Sequence, residues 1–473
     1  MAANFLHGVE TIEIERGARP IREVKSAVIG LVGTAPLGPV NTATLALSDR
    51  DAATFGSAVP GFSIPQALDA IFDQGAGTVI VVNVLDPSVH KTSVAAEAVT
   101  LTGDVGQTAK PYWVGAATVT NTGGTVTYVL GTDYTADPAT GKISRIASGT
   151  IAAGAALKVT YAYADPSKVT TAEIIGAIDG AGRRTGLKAL LDTHNLFGFS
   201  AKILIAPGYA TQAAVSAELI AVAARLRAVA LVDAPVGATV AQVLAGRGPS
   251  GTINFNTSSE RAILCYPHLK VYDTATGQDR LEPYSQRLAG VMAAKDNENG
   301  YWWSPSNTEI KGIVGVERLL TAGINDPQSE ANLLNEAGVV TVFNSFGTGV
   351  RTWGNRSAAW PSVSHPKNFI SVRRTADILH ESVEYAMLQF MDRPITRALI
   401  DAITESVNAF IRTLIGRGAL IDGSCTYDAA RNPPTEVALG HLTFSVAFMP
   451  PPPAERISFE SFIDIELLRQ LAT

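Results

Sequence analysis

The chain has 473 residues, enough for several domains that each bury a core, and only 17% of them are charged against 46% hydrophobic. Its net charge of −6 gives no basic footprint for nucleic acid, and no apolar run reaches membrane-spanning length, so neither direct nucleic-acid binding nor membrane insertion is expected. The start of the chain lacks a basic region followed by an apolar core, so no signal peptide is expected, and Cys265 and Cys425 read as buried thiols of a protein made in a reducing cytosol.

In chain order, Ile12 and Ile14 share one face of a short strand, with Thr11, Glu13 and Glu15 on the other, before Gly17 and Pro20 break it off. Such a strand at a terminus must pair elsewhere or fray. Residues 27–32 and 78–84 are all-apolar strands of the kind covered on both faces, separated by helical stretches at 49–55 and 65–74. That alternation predicts an α/β layer. Residues 86–166 change character: threonine, glycine, valine and tyrosine dominate, and turn-forming Asp86-Pro87 and Asp165-Pro166 bound them. They read as an all-β domain inserted into a loop of the first. The βαβ pattern resumes at strand 202–206, helix 212–226 and strand 228–233, and continues through 261–266 and 338–346. The α/β domain is therefore discontinuous, 26–85 plus 167–352.

Beyond Trp353 the periodicity becomes helical. Leu379, Val383, Met387 and Phe390 form one stripe over 377–391, and Ile400, Ile403, Val407, Phe410 and Leu414 another in a helix opened by Pro394. Two strands follow. One spans 424–427 with Cys425 and Tyr427; the other spans 441–448 with Leu442, Phe444, Val446 and Phe448 on one face. This C-terminal α+β domain, 353–453, owns only a two-stranded sheet, marginal by itself in water. Pro450 to Pro453 then form a stiff spacer extending about 3 Å per residue. After it Ile457, Phe459, Ile463 and Ile465 alternate with polar residues over 457–466, a second loose strand. It either folds back onto its own sheet or pairs with another molecule. The expected fold class is thus α/β and α+β multidomain, with extended arms at 1–25 and 454–473.

Searches for chemistry return weak matches. Gly246 to Gly251 fits G-x-G-x-x-G in letters but follows no clear strand and reads as a loop. His380-Glu381 begins like a zinc-protease helix, yet Glu384 stands where the second histidine belongs. Asp233 ends a buried strand, where a turn former is commoner than an active-site carboxylate. Tyr301-Trp302-Trp303 reads as an anchor for a loop or an interface. No catalytic, cofactor-binding or metal residue is assigned, and no cofactor is expected.

Several segments in order resemble the tail sheath proteins of contractile-tailed bacteriophages: AVIGLVGTAPLGPVN, LRAVALVDAPVG, ILCYPHLKVYD, Arg287 to Gly290 with Asp296, GYWWSPSN, LNEAGVVTVFNSFGTGVRTWGNRS, and LIGRGALIDGSCTYDAARNPP with LGHLTFSVAFMPPPPAERI. The resemblance covers nearly everything outside 86–166. It implies a structural, non-enzymatic subunit that stacks as hexameric rings around a tail tube and contracts to drive the tube through the host envelope. It further implies that both arms add strands to the C-terminal sheets of neighbours, with Ile12, Ile14, Ile457, Phe459, Ile463 and Ile465 as donors. Leu442, Phe444, Val446, Phe448, Cys425 and Tyr427 would be the acceptors. Implied partners are further copies of the chain, the tail tube protein, and baseplate and tail terminator proteins, in a virion tail assembled in the host cytoplasm. The alternatives are the sheath of a headless injection particle or bacteriocin, and an α/β enzyme with a β-rich accessory domain.

Overall fold

The apolar strands line up at the centre of one sheet, because only there are both of their faces covered. The structure, a computed structural model, describes residues 19–472 apart from 76, 275, 345, 346 and 348. The N-terminal strand with Ile12 and Ile14 lies outside the described residues. In chain order the strands are β1 (Val28–Gly33), β2 (Thr44–Ala46), β3 (Thr78–Asn83), β4 (Lys91–Thr100), β5 (Val105–Gln107), β6 (Thr118–Asn121), β7 (Tyr134–Asp137), β8 (Lys142–Arg145), β9 (Ala156–Ala164) and β10 (Ile203–Ile205). There follow β11 (Val229–Asp233), β12 (Ala262–Cys265), β13 (Leu269–Asp273), β14 (Gln278–Glu282), β15 (Gly315–Val316), β16 (Val339–Asn344), β17 (Val350–Trp353), β18 (Asp422–Tyr427) and β19 (Phe444–Met449).

The central sheet has eight strands in the order β17-β16-β12-β11-β10-β1-β3-β2. The six inner strands run parallel, and β2 and β17 close the ends antiparallel. Successive side chains alternate between two cores. Ile29, Leu31, Val79, Val81, Ile205 and Leu231 meet the helices Ser63–Phe72 and Tyr284–Glu298. Val28, Val32, Ile80, Val82, Leu204 and Ala230 meet the helix Ala213–Leu226 through Val215, Leu219 and Val222. Two residues of the Arg287 to Gly290 stretch explain themselves here. The fully buried Arg287 guanidinium donates to Glu282 Oε2 (3.1 Å), Asp73 Oδ2 (2.9 Å) and the Lys311 carbonyl (2.7 Å). A Cβ on Gly290 would lie 2.8 Å from Gln74 Cγ and 3.0 Å from the Ile71 carbonyl, so only glycine lets the two helices approach this closely.

Between β3 and β10 the chain makes two three-stranded antiparallel sheets, β4-β9-β6 and β5-β8-β7. Trp113, Val119, Tyr134, Ile143, Leu157, Val159 and Tyr161 are buried between them. The chain enters and leaves this unit side by side: the Asp165 amide donates to the His90 carbonyl at 2.9 Å.

The helix expected over 377–391 runs instead from Ile370–Met387, followed by a 3-10 turn at Leu388–Phe390. Its first two turns escape an apolar stripe because they are polar and nevertheless buried. Asp377 accepts both guanidinium nitrogens of Arg261 (2.8 and 2.9 Å), Arg373 bridges Asp377 and Glu260, and Arg374 donates to Asp296 Oδ1 at 2.7 Å. Lys202 pairs with Glu381 and donates to the Leu226 carbonyl. One face of this helix is thus fastened to the central sheet by ion pairs. Leu379 on its other face packs on Val407, Phe410, Ile411 and Leu414 of the helix Arg397–Gly416.

Candidate assembly interface

The apolar residues of the last two strands pack on the helix Arg397–Gly416 and on the second half of the helix Ile370–Met387. β18 and β19 pair antiparallel in the register Cys425↔Val446, forming a two-stranded sheet as the sequence implied. Cys425 is buried, and Tyr427, Phe444, Val446 and Phe448 are half-buried toward the helices. His380 stacks edge-on against Phe448, and burial holds its imidazole below the usual histidine range. Thr426 and Ala447 face outward. Leu442, expected within the second strand, lies ahead of it. Asn432 is the reason: its carboxamide donates to the Thr443 carbonyl (2.9 Å) and accepts from the Thr443 amide (2.7 Å), taking the groups a ladder would have used.

The two edges of this sheet differ. On β18 the Asn408 carboxamide bonds both backbone groups of Cys425, at 2.9 Å to the carbonyl and 2.7 Å from the amide, as a neighbouring strand would. Among the described residues no side chain bonds the backbone of 444–448, so the β19 edge is open. An open strand edge is a template for another chain.

Beyond the four prolines the chain leaves the C-terminal unit. Residues 454–463 are exposed and, among the described residues, belong to no helix or strand, with Phe459 at 91% and Ile463 at 96% exposure. The alternating run ends earlier than 466: Ile465–Ala472 is a 3-10 helix, which places Ile465 on a helical turn and not on a strand. Asp464 caps it, accepting from the Glu466 amide at 2.9 Å, and Glu466 pairs with Arg469 one turn on.

At the other end of the chain, residues 19–25 are stapled along the C-terminal helices, a feature with no sequence signal beyond Ile21. The Arg19 amide and carbonyl both bond the Gln389 side chain, the Val24 amide donates to Ser382 Oγ, and Ile21 packs into the helical core. Glu23 pairs with Arg417 and accepts from Tyr301 Oη at 2.7 Å; burial and Glu23 together push that phenol up. The Tyr301-Trp302 pair is therefore an anchor, as its sequence context suggested. An open groove of about 380 Å³ runs between Arg19, Pro20 and Ile21 and the helix face of Ala402, Ser406, Ala409 and Phe410.

The remaining sequence motifs have structural roles. Asp233 is fully buried, where desolvation raises its pKa, and it accepts from the amide and hydroxyl of Ser285. It thereby caps the helix that Pro283 introduces without a side-chain cap of its own. Arg247, in the glycine-rich loop, donates to the carbonyls of Ala337, Phe255, Thr257, Ala358 and Trp360. Among the described residues no group of three metal-ligating side chains occurs and no helix is long and apolar enough to cross a membrane.

Residues 182–358 match the family described as phage tail sheath protein central domain, and residues 362–464 match the phage tail sheath C-terminal domain. Residues 87–173 match a family described as a protein of unknown function. The tail sheath protein of Burkholderia phage BcepMu is 58% identical over 474 residues, covering 100% of this chain and 99% of its own. That match runs through the β-rich unit as well. A putative prophage major tail sheath protein of Pseudomonas aeruginosa is 34% identical over 63% of this chain and 73% of its own. The helical sheath of the anti-feeding prophage in its contracted state shares the fold, with a TM-score of 0.60 at 17% identity over 98% of this chain and 100% of its own.

Proposed function

Because this chain belongs to the tail sheath protein family of contractile-tailed phages, we propose that its two arms join neighbouring copies into a helical sheath around a tail tube. It is a structural subunit of a contractile sheath and not an enzyme. The observation that supports the arm reading is the coexistence, in one chain, of a two-stranded sheet and an exposed apolar segment that no described residue covers. Strand addition supplies main-chain hydrogen bonds, while the alternation of Ile457, Phe459 and Ile463 fixes the register. Among the described residues an incoming strand meets no competitor at Phe444, Val446 and Phe448 on β19, whereas along Cys425 and Tyr427 of β18 it has to displace Asn408 from Cys425. The N-terminal arm, with Ile12 and Ile14, takes the second position.

A contact of this kind is heterologous, and one whose operation includes a rise generates an open helical array. Each subunit then has an arm, 454–473, tethered to its own C-terminal unit, 353–453, and paired in another copy. The body, 26–85 plus 167–352, can repack during contraction without the array falling apart, and the β-rich unit 86–166 rides on it as an inserted domain. Contraction releases energy held in a kinetically trapped extended state. The baseplate, the tube protein and the tail terminator are the partners this role requires, in a virion tail assembled in the host cytoplasm. The 58% identity to a phage sheath favours a phage tail over a headless particle.

Placing charge on the arm tests this. Phe459→Asp with Ile463→Asp is expected to abolish tubes in negative-stain micrographs while the calorimetric unfolding of the monomer stays unchanged, since both side chains are exposed there. Normal tubes from the double variant would refute the arm reading.

A further inference from the structure

The WGNRS stretch, residues 353–357, is among the segments that carry the family resemblance, yet neither the strand pairing nor the core of the C-terminal unit uses its arginine. Arg356 lies in the loop after β17 with its guanidinium sandwiched between two rings, 4.1 Å from the Trp360 centroid and 4.0 Å from that of Phe369. Asn368 Oδ1 accepts from its Nη1 at 2.8 Å, and Asn368 is itself fixed by donating to the Val363 carbonyl at 2.6 Å. Ser357 completes the pocket wall, its hydroxyl donating to the Asn368 carbonyl at 3.0 Å. The guanidinium is thus stacked and oriented before it meets any carboxylate. The group it faces is Glu455, two residues beyond the last of the four prolines. Arg356 Nε donates to Glu455 Oε1 (2.9 Å) and Oε2 (3.1 Å), and Nη2 donates to Oε2 as well.

The geometry points to Arg356 and Glu455 as the positioning residues of the C-terminal arm: a clamp that holds the arm root on the subunit's own body, so that the free strand begins at Arg456. This inference rests on the proposal that the arm joins neighbours. Without the clamp the arm would swing from Met449 on the proline spacer, which fixes length but not direction. With it, the spacer is tied at both ends, to β19 at one and to the stacked guanidinium at the other. An arm whose root is aimed samples a smaller volume, which raises its effective concentration at the one neighbouring sheet it can reach. A planar, pre-stacked guanidinium holding a carboxylate through two nitrogens of one edge is the arrangement in which an ion pair is directional, unlike an ordinary surface pair.

The test uses the full-length chain with Glu455→Gln and Glu455→Asp, beside the chain lacking residues 453–473. In the monomer, trypsin should cut after Arg456 about tenfold faster in Glu455→Gln than in the parent, because cleavage follows release of the clamp. Cleavage after Arg469, beyond the clamp, should not change. The critical concentration for tube formation should rise about tenfold in Glu455→Gln, and Glu455→Asp should recover part of both effects. If the truncated chain forms no tubes but Glu455→Gln assembles and is cut like the parent, the clamp is refuted and the arm reading stands. If the truncated chain assembles normally, the arm reading fails and the clamp has nothing to position. A change in tube formation without faster cutting after Arg456 also overturns the clamp.

Discussion

Removing residues 453–473 is expected to leave a folded, soluble monomer that no longer forms tubes. The first half of this outcome follows from the arm's surroundings. Among the described residues beyond Glu455 no side chain is buried, and the Arg356 pair ties the root of the arm to the body. The monomer should therefore lose no more than about 1 kcal/mol, the scale of a partly exposed ion pair. The second half follows from what the arm would bury in a neighbour. Ile457, Phe459 and Ile463 are all more than two-thirds exposed in the monomer, and covering each contributes about 1.5–3 kcal/mol before ordering costs. Losing all three removes several kcal/mol from every joint, more than a hundredfold in each association constant. Sedimentation and negative-stain microscopy of the truncated protein check both halves.

Arg287→Met is expected to act in the opposite sense, on the body and not on the joints. Arg287 is fully buried, and so is its partner Glu282, whose other carboxylate oxygen lies 2.6 Å from Arg280 Nη2. Replacing the guanidinium by a thioether leaves Glu282 with a single cation and removes the Arg287 donor from Asp73, while the Lys311 carbonyl keeps only the Gln74 carboxamide at 3.0 Å. Breaking one side of a buried ion pair costs about 3–5 kcal/mol, so denaturant unfolding of the body should move to clearly lower concentration. A loss below about 1 kcal/mol would mean that the network is not holding the helix Tyr284–Glu298 in place. Together the two variants separate the stability of the subunit from the strength of the assembly.

The body was legible because its inner strands are buried on both faces and so are apolar without interruption. Strands expected at 27–32, 78–84 and 228–233 are found within a residue of those limits. The helix before Met387 was only half legible. Ser371, Arg374, Thr375 and Asp377 interrupt the apolar stripe, yet they are buried, with ion pairs from Arg374 and Asp377 to residues distant in sequence, and a residue pattern carries no record of such partners. At the C-terminus the alternation of Ile463 and Ile465 masked a helical segment whose signals were local: Asp464 as a cap, then leucines at 467, 468 and 471. The Asn432 bonds that shorten β19 and the Asn408 bonds that shield β18 are side-chain substitutes for a ladder, and no periodicity announces them. The sheet's shortage of strands, by contrast, was countable from the sequence, and it is the feature on which the assembly proposal depends.

Disulfide trapping between two populations tests the central claim most directly. One carries Ser458→Cys on the arm, the other Ala447→Cys on the outward face of β19 or Thr426→Cys on that of β18; Cys425 and Cys265 are buried. Mixed, assembled and mildly oxidised, the arm population should be linked to an acceptor population as a two-chain product that forms in tubes and not in dilute monomer. If instead a chain carrying both cysteines cross-links only to itself, in tubes as in monomer, the arm belongs to its own sheet and the exchange account is wrong.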